Sequence, residues 1–431
     1  MTNLHHVSRR NFLKTAAVVA TPTLIPSSVW MARGEAAPNN RLVFGYIGVG
    51  KQGRHLLRSF LPHPDVQVVA VNDVDTTRRR HHQKMVEDFY TAKTGKPWRG
   101  CAAYMDFRDL LARPGIDAVV IATPDHWHAF TVVAAARAKK DIYCEKPLSL
   151  TIREARVMVN AVRKNGRVFQ TGSMQRSGGT FYRACMLVRN GLIGDIKEVY
   201  VNVGGPSRWC DLPGEPGEPG LDWDMWLGQA PLRPYNSILS PRGVHNHFPN
   251  WRHYREYSGG GMTDWGAHHF DIAQWGLGMD ESGPVEIIPP NDRDVKHLTY
   301  LYQNGVKMYH AGLPGYRFGV VFVGTKGKVC VDRGRFAAEP KSLGKVDLAK
   351  LPLQLYHSTN HYRDFTRAIR SRKRPICDVE IGARSVTVCH LGNLAYWNRR
   401  PLKWDPGRER FVGDPEADTW LDREKRAPWQ V

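Results

Sequence analysis

An aspartate and a histidine four residues apart, Asp264 and His268, are the first pair in this chain able to do chemistry. They sit in Gly259-Gly260-Gly261-Met262-Thr263-Asp264-Trp265-Gly266-Ala267-His268-His269-Phe270-Asp271. The three glycines break the preceding segment, and the apolar spacing of Trp265, Ile272 and Trp275 predicts a helix from about Thr263. On that helix Asp264 and His268 share a face, with Asp271 one turn further on. A carboxylate beside an imidazole fixes its tautomer and stabilises its charged form, which prepares an acid/base group. The same pair can instead do no more than tether a helix start, so the remaining elements must decide.

A second constellation lies near the start. Residues 41–47 are a continuous apolar run that passes directly into Gly48-Val49-Gly50-Lys51-Gln52-Gly53, and a helix is predicted over 52–61. In this G-x-G-x-x-G, Gly48 makes the tight turn, Gly50 lets backbone approach a pyrophosphate and Gly53 lets helix and strand close up. The helix start, with Lys51 and Gln52, offers amides and positive dipole to phosphates. The next strand, 66–71, leads to Asp73, 20 residues after Gly53, where a ribose-binding acid belongs. Arg78-Arg79-Arg80 offers an alternative phosphate site, but Asp73 repels a 2′-phosphate, so the charges favour NAD over NADP.

The elements that carry these residues alternate. Residues 77–93 and 106–112 read as helices, and 116–122 reads as a buried parallel strand ending in Thr123-Pro124-Asp125-His126-Trp127-His128. An Ala-rich helix over 129–139 follows, then a strand over 141–144 that ends in Glu145-Lys146-Pro147. Thr151-Ile152-Arg153-Glu154 is a capping box for a helix that stops before Gly166, and 167–171 is the last strand. The alternation predicts an α/β Rossmann domain, doubly wound around a parallel sheet, over 39–171. After Gln175-Arg176 the pattern changes to a helix over 181–190, a strand over 196–203 and a Pro/Gly loop, 204–220, long enough to rim a site. Strands over 296–302, 306–310, 319–323 and 328–331, turned at Asn304-Gly305 and 324–327, predict an α+β domain with a mainly antiparallel open sheet over 172–400. Helices near 362–371 and 381–396 complete it, and 401–431 reads as an extended strap.

Composition narrows the class. A hydrophobic content of 42% over 431 residues suits two globular domains. The net charge is +20, of which residues 1–38 carry only +3, four basic residues against Glu35. No nucleic-acid module accompanies the basic clusters, so they read as solvated faces and no nucleic-acid partner is expected. The seven cysteines, at 101, 144, 185, 210, 330, 377 and 389, form no close pair, and no disulfide framework is expected. Ser8-Arg9-Arg10-Asn11-Phe12-Leu13-Lys14 followed by a short apolar stretch predicts a twin-arginine signal peptide over 1–38, cut near Ala36. The stretch, interrupted by Pro22 and Pro26, is too short for a transmembrane helix. The protein is therefore expected outside the cytoplasm, delivered already folded by the twin-arginine machinery.

Taken in order, the glycine turn, Asp73, Glu145-Lys146-Pro147 and Asp264-x-x-x-His268 resemble the glucose-fructose oxidoreductase / inositol dehydrogenase (Gfo/Idh/MocA) family over residues 41 to about 398. The resemblance implies a dinucleotide-binding domain followed by an α+β domain, with the active site between them. It implies Lys146 as the catalytic lysine near the nicotinamide, His268 as the acid/base and Asp264 as its companion. Oxidising a secondary alcohol fits, since a base takes the hydroxyl proton while hydride leaves carbon for the cofactor. A small carbohydrate substrate and a homo-oligomer formed through the second domain's sheet are expected. The alternatives are a redox-neutral NAD-dependent glycosidase of the same architecture and a catalytically silent sugar-binding protein.

Thr123, Pro124 and His126 follow a strand end, as does Glu145, and cofactor contacts are expected there. Gln175 and Arg176 are expected to reach a sugar hydroxyl, and Trp251, Arg252 and His269 to lie beside the substrate. His245, His247, His268 and His269 could chelate, but without acidic or thiol partners no metal is expected. Export to a compartment without free NAD predicts a tightly held NAD, covered by the strap after Tyr396 or an arm around Asn39.

Overall fold

Near-continuous apolar runs need cover on both faces, and the first five runs of the chain receive it. The computed structural model describes residues 40–430 apart from 292, 317 and 318, so the twin-arginine segment and the Asn39 arm lie outside the described residues. Strands β1 (Leu42–Ile47), β2 (Val66–Asn72), β3 (Ala102–Tyr104), β4 (Ala118–Ile121), β5 (Asp141–Cys144) and β6 (Phe169–Thr171) form one sheet in the order β3-β2-β1-β4-β5-β6. Every pairing is parallel. The order reverses between β1 and β4, and in such sheets ligands bind in the crevice beyond the strand ends at that point. β3 was not anticipated; only three residues long and half-buried, it has too little periodicity to register.

The second sheet has nine strands. To β7 (Ile196–Val201) it adds β8 (Glu286–Ile288), β9 (Thr299–Leu301), β10 (Lys307–Tyr309), β11 (Val320–Gly324), β12 (Gly327–Asp332), β13 (Arg335–Glu339), β14 (Leu402–Asp405) and β15 (Arg410–Phe411). Their order is β13-β12-β11-β7-β10-β9-β8-β14-β15, antiparallel except where β10 runs parallel to β7. The segment expected as an extended strap thus contributes a hairpin to the sheet edge, because Leu402, Trp404 and Phe411 alternate inward and are buried.

Two late helices return to the first sheet. His361–Ser371 inserts Phe365 among Phe44, Phe60 and Tyr143, all fully buried, with ring centroids 5.8 to 6.4 Å apart. Truncating a side chain so placed costs about 3–5 kcal/mol. Val379–Asn398 buries Val379, Ala383 and Val386 against the dinucleotide sheet and Val388, Leu391 and Leu394 against the second sheet's core. One helix therefore fixes the two sheets relative to each other, which sets the geometry of the cleft.

Candidate active site

The glycine turn is built for a dinucleotide. Gly48 has φ +82°, and a Cβ there would stand 2.8 Å from the Thr123 amide nitrogen; one on Gly53 would stand 2.2 Å from the Gly48 carbonyl oxygen. A Cβ on Gly50 would meet nothing within 4 Å, so this position opens onto the cavity where a phosphate can approach the backbone. Asp73 braces the turn: its carboxylate accepts the Val49 amide at 3.0 Å and the Asp75 amide at 3.0 Å, and it still faces the cavity. Gln52 donates to Glu145 at 2.8 Å, tying the turn to the end of β5. These residues fit the dinucleotide that the fold implies.

The cavity, about 520 Å³, runs from this turn to Lys146, Asp264 and His268. Thr123, Pro124, Asp125 and Trp127 form one wall, from the strand end after β4. The expected helix around His268 is two pieces, Gly261–Asp264 and Gly266–Leu277, meeting at Trp265. The glycines before it admit a close neighbour. Gly260, at φ +78°, and Gly261 lie so close to residues 204–207 that a Cβ would fall 2.5 Å from the Ser207 amide or 2.6 Å from the Gly204 Cα.

The observed partner of Asp264 corrects its expected pairing with His268. The Asp264 carboxylate takes the Lys146 ammonium at 2.6 Å, and its backbone carbonyl accepts the same ammonium at 2.9 Å. Two of the three Nζ protons are thereby fixed and the third is left for a ligand. Burial acts to raise the Asp264 carboxyl, but Lys146 and then Arg252 outweigh it and hold it below the ordinary aspartate range. His268 has no hydrogen-bond partner for either ring nitrogen among the described residues, and its Nδ1 is fully enclosed. Burial, then the charges of Lys146 and Arg333, push its pKa well below 6.5, so the imidazole is neutral. A neutral ring beside a fixed ammonium is an acceptor next to a polarising cation, a fit arrangement for deprotonating a hydroxyl. Nearby Asp125, buried and bonded to Ser258 Oγ at 2.5 Å, is pushed up to about 8 by burial and is protonated at neutral pH.

Residues 239–252 close the cavity over its dinucleotide end. Arg54, one residue beyond the glycine motif, donates to the His245 carbonyl at 2.7 Å and to Asn246 Oδ1 at 2.6 Å. Arg78 donates to Ser240 Oγ at 3.2 Å, to the Gly243 carbonyl at 3.1 Å and to the Pro241 carbonyl. Both arginines are buried, so the segment is clamped by charge-assisted bonds shielded from water.

The comparisons with known proteins agree with this layout. Residues 42–173 match the profile described as the oxidoreductase family's NAD-binding Rossmann fold, and residues 208–431 match its C-terminal alpha/beta domain. The chain belongs to the Gfo/Idh/MocA oxidoreductase family. Myo-inositol 2-dehydrogenase of Thermotoga maritima is 24% identical over 380 residues, covering 83% of this chain and 97% of its own. A glycosyl hydrolase family 109 protein of Stenotrophomonas maltophilia is 26% identical over 347 residues, 74% of this chain and 73% of its own. The solved WlbA dehydrogenase from Bordetella pertussis, in complex with NADH and UDP-GlcNAcA, is similar in fold at 18% identity, with a TM-score of 0.57 and coverage of 85% and 99%.

Within this Gfo/Idh/MocA chain, the cavity gathers Gly48, Gly50, Lys51, Gln52, Asp73, Thr123, Pro124, Glu145, Lys146, Trp251, Arg252, Asp264 and His268, as expected from sequence, and adds Arg54, Arg78, Phe248, Trp265 and Arg333. Four expected contacts are corrected. His126 is buried away from the cavity, its Nε2 on the Trp226 carbonyl at 3.0 Å and its ring among Trp226 and Tyr257. Arg176 is sealed in an ion pair with Asp271 and Asp280 and reaches no open space in the cleft. Gln175 lies behind the site, its amide donating to the His268 carbonyl at 3.0 Å and accepting from Arg333 Nε at 3.1 Å. His269 turns the other way, to Asp332 at 3.4 Å. The rim is 239–252, not the expected loop 204–220, and 401–431 contributes no cavity residue. That segment instead braces the wall from behind, with Trp429 edge-on to Trp127 at 4.8 Å and Arg426 on the Gly228 carbonyl. His245 lies beside His247, and no group able to hold a metal occurs among the described residues. All seven cysteines are free. Arg54 and Arg333 carried no signal in the sequence because each acts on residues more than 60 positions away, and Arg78, read there only as an alternative phosphate site, instead reaches the 240–243 segment.

Proposed function

We propose that the protein oxidises a secondary hydroxyl of a sugar, glycoside or cyclitol, using NAD that stays bound through the cycle. The observation that carries this is the Lys146 ammonium, held by Asp264 with one proton to spare, beside a neutral His268 in the cavity that the glycine turn opens into. The nicotinamide, when bound, would supply the hydride acceptor, and because it is retained the hydride would pass on to a second substrate molecule, reducing it, before the next oxidation. Lys146 donates to the substrate oxygen and stabilises charge growing on it, while His268 takes the hydroxyl proton at Nε2, the ring nitrogen open to the cavity. Asp264 aims Lys146. The glycine turn and Asp73 hold phosphates and ribose, and Asp73 favours NAD over NADP.

The clamp of Arg54 and Arg78 on residues 239–252 supports retention of the cofactor. Retention for hours needs an off-rate of about 10⁻⁴ per second; with a typical on-rate on the order of 10⁶ per molar per second this is a Kd near ~10⁻¹⁰ M. The residues 1–38 signal makes such retention useful, since we read the protein as exported folded by the twin-arginine route. Purified without added cofactor and then denatured, the exported protein should release near-stoichiometric nicotinamide; an empty protein that binds NAD weakly sinks the proposal. No helix among the described residues is long and apolar enough to cross a membrane. We further expect copies to associate through the second sheet's open face, where the tilted rings of Tyr200 and Tyr309 lie 5.0 Å apart, and sedimentation would read this.

The similarity to a glycosyl hydrolase family 109 protein favours a second reading, a redox-neutral glycosidase in which transient oxidation of the ring loosens the glycosidic bond. Free oxidised sugar or a reduced acceptor identifies the first reading, and cleaved glycoside without net redox the second.

A further inference from the structure

Beyond the reacting hydroxyl, the substrate end of the cavity carries more positive charge than the chemistry uses. Lys146, Arg252 and Arg333 line it, and Asp264 is the carboxylate that faces them. Asp125 is protonated there at neutral pH. Glu145 turns toward Gln52, and Asp332 is taken up by His269 and by the Arg333 amide at 2.7 Å. The cofactor's phosphates belong to the glycine turn, whose Lys51 shares the Phe248 ring with Arg252, and Arg333, over Trp265 beside His268, is left unanswered by them.

Neither arginine has its fork filled. Arg333 lies over the Trp265 ring at 4.8 Å, and only its Nε is engaged, by Gln175. Its two terminal nitrogens have no hydrogen-bond partner among the described residues. Arg252 is stacked on Trp251 at 4.1 Å and Phe248 at 5.0 Å, with Nη1 on the Pro249 carbonyl and Nε 3.8 Å from Asp264. Phe248 and Trp265 are themselves exposed at the mouth, 51% and 44%. An exposed aromatic that carries a stacked guanidinium fixes the orientation of the fork, which lowers the entropy lost when a planar or tetrahedral anion is gripped. A neutral sugar can accept their hydrogen bonds but leaves their charge unanswered.

We propose that the substrate is an acidic sugar, bearing a carboxylate or sulfate ester that Arg333 and Arg252 receive at the mouth while its reacting carbon lies between Lys146 and His268. This rests on the hydroxyl-oxidising reading of the site. It also gives the strongly basic chain, +20 overall, a role in drawing anionic carbohydrate toward the cleft.

The test compares methyl glucuronides and galacturonides, and 6-sulfated methyl glucosides and galactosides, with the neutral methyl glycosides. Cofactor reduction with an artificial acceptor and release of methanol are both read. An acidic member should exceed its neutral counterpart in kcat/KM by at least ~10-fold, the scale of one or two charge-assisted hydrogen bonds. Which acidic set wins identifies the anion. Arg333→Met should shrink the acidic-to-neutral ratio mainly through KM, and Arg333→Lys should restore part of it; a residue that merely supports the fold would lower both members together. Equal or better use of neutral glycosides, or a ratio untouched by Arg333→Met, overturns the inference while leaving the hydroxyl chemistry standing. If neither set is oxidised or cleaved by protein shown to contain nicotinamide, the underlying reading fails, and this inference with it.

Discussion

Two aspartates seven residues apart, Asp264 and Asp271, each hold a cation brought from the dinucleotide half or its border, yet only one pair can do chemistry. Asp264 holds Lys146 where both side chains keep partial access to the cavity, 23% and 17% exposed, and leaves a proton of Nζ unclaimed. Asp271 holds Arg176 with both side chains 1% exposed, and Ser385 and Asp280 take up the remaining valences. Burial works against the Arg176 charge, but Asp271 and Asp280 outweigh it and keep it protonated. The contrast teaches that a carboxylate–cation pair becomes catalytic through its unsatisfied remainder. A fully satisfied pair serves only to lock helix Gly266–Leu277 in place.

Substitutions can break that contrast. The largest effect is expected from Arg176→Met, which strands Asp271 as an unpaired buried charge and should cost about 3–5 kcal/mol of stability, read as a lower urea midpoint. Replacing Arg176 and Asp271 together by apolar residues should recover much of the loss. An unchanged midpoint for the single variant would return Arg176 to the pool of substrate ligands. Next come Lys146→Ala and His268→Ala, each expected to lower turnover by at least ~100-fold with folding and nicotinamide content little changed. Near-normal turnover in both would mean the site is wrongly assigned.

A milder loss, about tenfold in turnover, is expected for Asp264→Asn, since the backbone carbonyl still aims Lys146 while the charge beside it is gone. Asp271→Asn should show the reverse profile, with stability reduced and turnover of the folded fraction kept. Asp125 sharpens the comparison as a buried carboxyl whose only hydrogen bond is to a neutral hydroxyl. Native Asp125 keeps its proton up to about pH 8, whereas the unfolded chain loses it near pH 4. The native state therefore binds the extra proton in that window, and stability contributed by this group falls as pH rises through it. Asp125→Asn should flatten the slope by about 1.4 kcal/mol per pH unit between pH 6 and 7, measured by urea denaturation at each pH. Parallel slopes would mean that Asp125 is ionised in the native protein.

Much of the dinucleotide half was legible in sequence because its signals are local. A strand, a glycine turn and a helix follow within some 20 residues, and Gly53 answers a steric demand set by the Gly48 carbonyl five residues before it. The long helices around 181–190, 362–371 and 381–396 were legible for the same reason, since apolar periodicity persists over several turns. The short strands β3, β8 and β13 and the edge hairpin at 402–411 were not, because three to five residues carry too little pattern and their pairing partners are remote.

The sequence by itself determined which residues could react: Lys146, Asp264 and His268 are of the right types, near glycines that admit a cofactor and the close approach of a neighbouring loop. Tertiary structure alone decided who partners whom. Spacing along an ideal helix put Asp264 with His268, but the helix is interrupted at Trp265 and the Asp264 carboxylate meets a lysine 118 residues away. Likewise only the packed fold could carry Arg54 and Arg78 to the 239–252 segment and bury Arg176 with Asp271. Side-chain partnership depends on distance in space, and the chain's periodicity reports that distance only within a few turns of one element.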